Sequence, residues 1–120
     1  MKKKVIMDKV YSVFRVVNGC PGRSFPLSNI PLVSFLREVK KQTIARKASR
    51  HYDDDIAFRF FFKGRYFTAR YVVDIDKYAV YPSSEYGGIT RYQSFVYDYE
   101  PLPLDFTLNY LKSLSLWYLR

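Results

Sequence analysis

Between Ile56 and Val73 the chain alternates with period two on both sides of one glycine. Ile56, Phe58, Phe60 and Phe62 are separated by Ala57, Arg59 and Phe61, and Lys63-Gly64 follows at once. Such alternation puts successive side chains on opposite faces of a strand. A lysine–glycine pair suits a two-residue hairpin loop, because glycine takes a positive φ without steric penalty. The register then follows: Phe62 opposite Arg65, Phe60 opposite Phe67, Phe58 opposite Ala69 and Ile56 opposite Tyr71. With Val73 these residues form one almost wholly apolar face, which belongs against helices. The reverse face carries Ala57, Arg59, Phe61, Tyr66, Thr68, Arg70 and Val72. A turn at Asp74–Lys77 leads to a third strand at about 78–81, which lands Tyr81 beside Arg70 on the reverse face. The stretch PSSEYGG reads as a loop, and a fourth strand at about 90–99 completes an antiparallel meander over about 56–99.

Helices are expected on either side of this sheet. Ile6, Val10, Val13, Phe14 and Val17 fall on one side of a helical wheel, with Asp8, Lys9, Ser12 and Arg15 on the other. This predicts a first helix over 4–17, capped by Asn18-Gly19, although its valines also suit a strand. Residues 18–31, with three prolines and two glycines, read as a loop. Ser28 or Asn29 caps a second helix, with Pro31 in its first turn. Leu32, Phe35, Leu36, Val39 and Thr43 are its buried stripe, opposite Arg37, Lys40 and Lys41. The next stripe positions are Arg46, Lys47 and Arg50, so the core-facing surface ends near Ile44. After Pro101 and Pro103 a last helix is expected over about 104–119. Its leucines face the core, and Phe106, Tyr110 and Trp117 fall nearly opposite. The alternation Ser113-Leu114-Ser115-Leu116 leaves an edge strand open as the alternative for 111–119. The whole reads as one α+β domain over 1–120: two N-terminal helices, a four-stranded antiparallel meander and a C-terminal helix.

Charge is distributed unevenly. Residues 1–50 carry 12 basic residues and two acids, giving +10, whereas 51–120 carry eight and nine, giving −1. A basic chain of this size fits a polyanionic partner, nucleic acid first and an acidic protein surface second. Arg37, Lys40, Lys41, Arg46, Lys47 and Arg50 are the expected phosphate contacts. Arg59, Phe61, Tyr66, Arg70 and Tyr81 interleave cations with aromatic rings on the reverse sheet face, as base-stacking platforms do. Phe106, Tyr110 and Trp117 are interface candidates, for a homo-oligomer or another chain.

The chemistry inventory excludes more than it admits. A single cysteine, Cys20, gives no internal disulfide framework and fits a reducing, cytoplasmic setting. No apolar run reaches the ~20 residues of a membrane span. His51 with Asp53, Asp54 and Asp55 is a weak chelator, because neighbours in an extended chain point to alternate sides. No nucleophile stands beside a base, and no phosphate loop is present. The expectation is a non-enzymatic nucleic-acid-binding protein without cofactor or metal. The alternative is an interaction module, such as a small mobile-element-type inhibitor or accessory subunit of a nucleic-acid enzyme. In size, basicity and a helix-then-meander order the chain also resembles the RelE-type ribosome-dependent RNase toxins, which implies mRNA cleavage as a third reading.

Overall fold

The Lys63-Gly64 hairpin forms as its sequence dictates. In the computed structural model, which describes residues 9–24, 29–51, 53–82 and 100–114, strand β4 (Ile56–Phe62) pairs antiparallel with β5 (Arg65–Val72). The pairs Phe58–Ala69, Phe60–Phe67 and Phe62–Arg65 stand in register. Lys63 and Gly64 have φ of 53° and 81°, the twin left-handed conformations of a type I′ loop. After a short 3₁₀ turn, Val73–Ile75, strand β6 (Lys77–Pro82) pairs with β5. That turn lengthens the connection, so Tyr81 stands opposite Thr68 rather than Arg70, and Val73 is exposed instead of on the apolar face. A shift of two residues preserves the face, and the Tyr81 hydroxyl still reaches Arg70. The expected fourth strand at 90–99 lies outside the described residues.

Helix α1 (Leu32–Ala48) buries Leu32, Phe35, Leu36, Val39 and Thr43, the expected stripe. Phe35 packs on Phe60 with ring centroids 4.6 Å apart, and Phe60 stacks on Phe67 at 5.7 Å. Pro31 stands at the N-cap with no side-chain cap. Asn29 instead donates its backbone N–H to the Val10 carbonyl at 2.7 Å.

The first expected helix is a strand over its described part, and its residues 4–8 lie outside the described residues. Lys9–Val17 is β1; the Asn18-Gly19 pair is a hairpin loop, and Cys20–Ser24 returns as β2 within the stretch expected to be a loop. A two-residue strand β3 (Ile30–Pro31) pairs with the start of β1. The sheet order is β2-β1-β4-β5-β6, all antiparallel, with β3 beside β1. The misleading period has a structural cause. Between Tyr11 and Phe14 the register with β4 shifts by one residue, and Ser12 takes φ 51°. This bulge puts Val10 and Val13 together on the core face. Val16, three residues on, is buried on the other face against Ala57. Burial at 10, 13 and 16 therefore mimics a helical stripe inside a strand.

Helix α2 (Leu104–Lys112) packs Leu111 and partly Leu104 and Leu108 against the same sheet face as α1. The protein is thus α+β, a helical layer on one face of a mainly five-stranded antiparallel sheet, with one helix before β4 among the described residues rather than two. The helix-then-meander order behind the RelE likeness does not hold, since a hairpin opens the described chain. Lys63 Nζ donates to the carbonyls of Lys112 and Leu114 (2.9 Å to the latter), closing the end of α2. The expected continuation to 119, and Trp117, lie outside the described residues. No helix among the described residues is long and apolar enough to cross a membrane.

Candidate nucleic-acid interface

With its apolar stripe on the sheet, α1 directs Arg37 and Lys41 to solvent one turn apart; both are exposed, as is Arg50 just past the helix end. None of the three has a carboxylate within ion-pair distance among the described residues. Lys40, on the flank, is held: its Nζ lies 3.3 Å from Asp76 Oδ1 and 5.5 Å from the centre of the Tyr71 ring. The Tyr71 hydroxyl donates to the same carboxylate oxygen at 2.5 Å. That bond, followed by the Lys40 ammonium, holds the Asp76 carboxyl below its usual range.

The C-terminal end of α1 is tied down. Arg46 Nε donates to Asp54 Oδ2 at 2.8 Å, and Lys47 Nζ to the Asp54 carbonyl at 3.1 Å. His51 Nδ1 lies 3.3 Å from the same carboxylate. From the β1–β2 loop, Asn18 donates its side-chain amide to Asp54 Oδ1 at 3.1 Å and accepts the Asp55 N–H at 2.9 Å. The Asn18 bond first and the Arg46 guanidinium second hold the Asp54 carboxyl below its ordinary value. Asp54 thus closes onto the basic helix end. Cations at a helix C-terminus also meet favourable backbone dipoles.

The reverse face of the sheet is largely filled by its own contacts. Arg59, 8% exposed, lies between the rings of Phe14 and Tyr66, at 4.9 and 4.4 Å from their centres. Phe61 meets Tyr66 edge-on at 4.9 Å. Tyr81 is 4% exposed and its hydroxyl accepts from Arg70 Nε at 3.0 Å; Arg70 also pairs with Asp55. Thr68, between Arg59 and Tyr81 in the cross-strand row, is buried. The five residues expected to form a platform are indeed brought together. Phe61, Tyr66 and Arg70 stay half-buried, whereas Arg59 and Tyr81 are enclosed.

Other chemistry is sparse. An open cleft of about 390 Å³ between the end of α1 and β5 sets Lys47 and Arg70 against Asp55 and Asp74 over Ile56 and Tyr71, so its charges balance. Tyr71 and Tyr78 are pushed up to about 12, chiefly by burial, and stay protonated at neutral pH. Cys20 is exposed. On α2, Phe106 is 61% and Tyr110 37% exposed, one turn apart. Sequence reasoning missed Asn18 and Phe14. The Asn-Gly hairpin signal at 18–19 was the available clue to Asn18, since it places that turn beside the start of β4. Comparison with protein families, with curated proteins and with solved structures finds no match.

Proposed function

We propose that this protein binds nucleic acid non-enzymatically, through the phosphate backbone, on the outer face of α1 and the turn that follows it. One observation carries the reading: Arg37, Lys41 and Arg50 are exposed and without a carboxylate partner among the described residues. The neighbouring acids already hold Lys40, Arg46 and Arg70. With those cations matched locally, Arg37, Lys41 and Arg50 are left accessible to a polyanion. Phosphate contacts of this kind bind by releasing counterions, so affinity falls linearly on a log–log plot against salt. The test is fluorescence anisotropy of a labelled oligonucleotide over a salt series. Binding at ~50 mM salt that weakens steeply as salt rises is the expected result. Absence of binding at low salt overturns the reading.

The exposure of Phe106 and Tyr110 favours a second reading, a protein-interaction module that offers cations and aromatic rings to an acidic partner. Large exposed aromatics are common anchors of such interfaces. A pull-down with and without nuclease separates the two: a protein partner that survives nuclease supports the module. Release of cleaved mRNA on expression would instead favour the ribonuclease reading.

A further inference from the structure

Resting on that reading, we infer that the ligand is a single strand, laid across the helical layer with phosphates on α1 and bases stacked on Phe106 and Tyr110. Three observations lead there. First, the two helices share a surface. Both pack on one sheet face and touch each other, so their outer faces point the same way. Tyr78 exchanges backbone hydrogen bonds with Leu102 at 2.7 and 2.8 Å, two residues before α2 begins. The helix that carries the exposed rings is thus anchored beside β6 and packs against α1, the helix that carries Arg37 and Lys41.

Second, those rings are available. Phe106 and Tyr110 stand on the side of α2 away from Leu104, Leu108 and Leu111, one turn apart, and a single helix face presents them together. Third, the alternative platform on the reverse sheet face is occupied: Arg59 fills the gap between Phe14 and Tyr66, and Tyr81 is buried. Aromatic rings beside phosphate-binding cations suit single strands, because an unstacked base offers its π face in any sequence. In a duplex those faces are hidden, and the rings would add nothing to the phosphate contacts.

Anisotropy with a mixed-sequence single strand of about 20 nucleotides and with the matching duplex tests this. The single strand is expected to bind more tightly. Phe106→Ser with Tyr110→Ser should weaken the single strand about ten-fold or more, leave its salt slope unchanged and leave the duplex unaffected. The unchanged slope distinguishes lost stacking from lost charge, and an unchanged melting temperature confirms that the variant folds. Tighter duplex binding with no effect of the ring substitutions overturns the inference and leaves the phosphate-binding reading standing. A ring variant that only lowers the oligomer mass in light scattering also overturns it, assigning the rings to a protein contact. If neither nucleic acid binds, the proposed function itself fails.

Discussion

Arg37 and Lys41, in the middle turns of α1, are exposed and have no carboxylate neighbour among the described residues; Arg46 and Lys47, nearer its C-terminus, are folded onto Asp54. Along the sequence these four residues are one basic run. In the fold they divide because the chain turns back after Ala48 and the acidic triplet arrives beside the last turn of the helix. The Asn18 clasp fixes that return by joining the β1–β2 loop to Asp54 and Asp55. A run of like charges thus predicts a patch only after its intramolecular partners are subtracted.

Substitutions can break this contrast from either side. The largest effect is expected for Arg37→Glu with Lys41→Glu, which places repulsion where attraction is proposed. Oligonucleotide affinity at ~100 mM salt should fall by on the order of a hundred-fold, with circular dichroism and melting unchanged. Asp54→Asn should act in the opposite direction. Freed from its partner, Arg46 becomes available to a phosphate, and the salt slope should steepen by roughly 0.7–0.9. A slope that stays fixed would mean that Arg46 never reaches the ligand. Lys63 belongs with the engaged cations, so Lys63→Met should leave oligonucleotide affinity nearly unaltered. Its loss from the α2 carbonyls should lower stability by about 0.5–1 kcal/mol, read from urea unfolding.

The pH dependence of stability sharpens the same contrast. Asp54 and Asp76 both titrate below the ordinary value of 3.8 in the folded protein, Asp54 through Asn18 and Arg46, Asp76 through Tyr71 and Lys40. A depressed folded-state value stabilises above the unfolded pKa, and that contribution disappears as pH falls through the folded one. The urea midpoint should therefore be flat above about pH 5 and decline below about pH 4. In Asp54→Asn with Asp76→Asn that decline should be shallower. An equal decline in wild type and variant would show that these carboxylates are not the linked groups.

What the sequence made legible was local. The β4–β5 register follows from a two-residue loop, and the buried stripe of α1 from about three turns of uninterrupted period. The strand β1 was hidden because the bulge at Ser12 puts Val10 and Val13 on one face, three residues apart as in a helix. Asn18-Gly19 ends a helix or turns a hairpin equally well, so the cap reading agreed with the wrong period. Of the candidate site, the residue types were readable but their availability was not. Arg59 and Tyr81 looked like a solvent-facing platform, yet Phe14, brought alongside by β1, helps enclose Arg59. Phe106 and Tyr110, like Arg37 and Lys41, kept the exposure that helical spacing gave them.

The central claim is that Arg37 and Lys41 contact phosphate whereas Arg46 and Lys47 do not, and paired salt titrations test it most directly. Wild type, Arg37→Ser with Lys41→Ser, and Arg46→Ser with Lys47→Ser would be titrated against one oligonucleotide between ~50 and ~300 mM salt. The first pair should flatten the log–log slope by roughly 1.4–1.8, the equivalent of two phosphates, while the second pair leaves it at the wild-type value. Equal flattening by both pairs, or flattening by the second pair alone, would contradict the account.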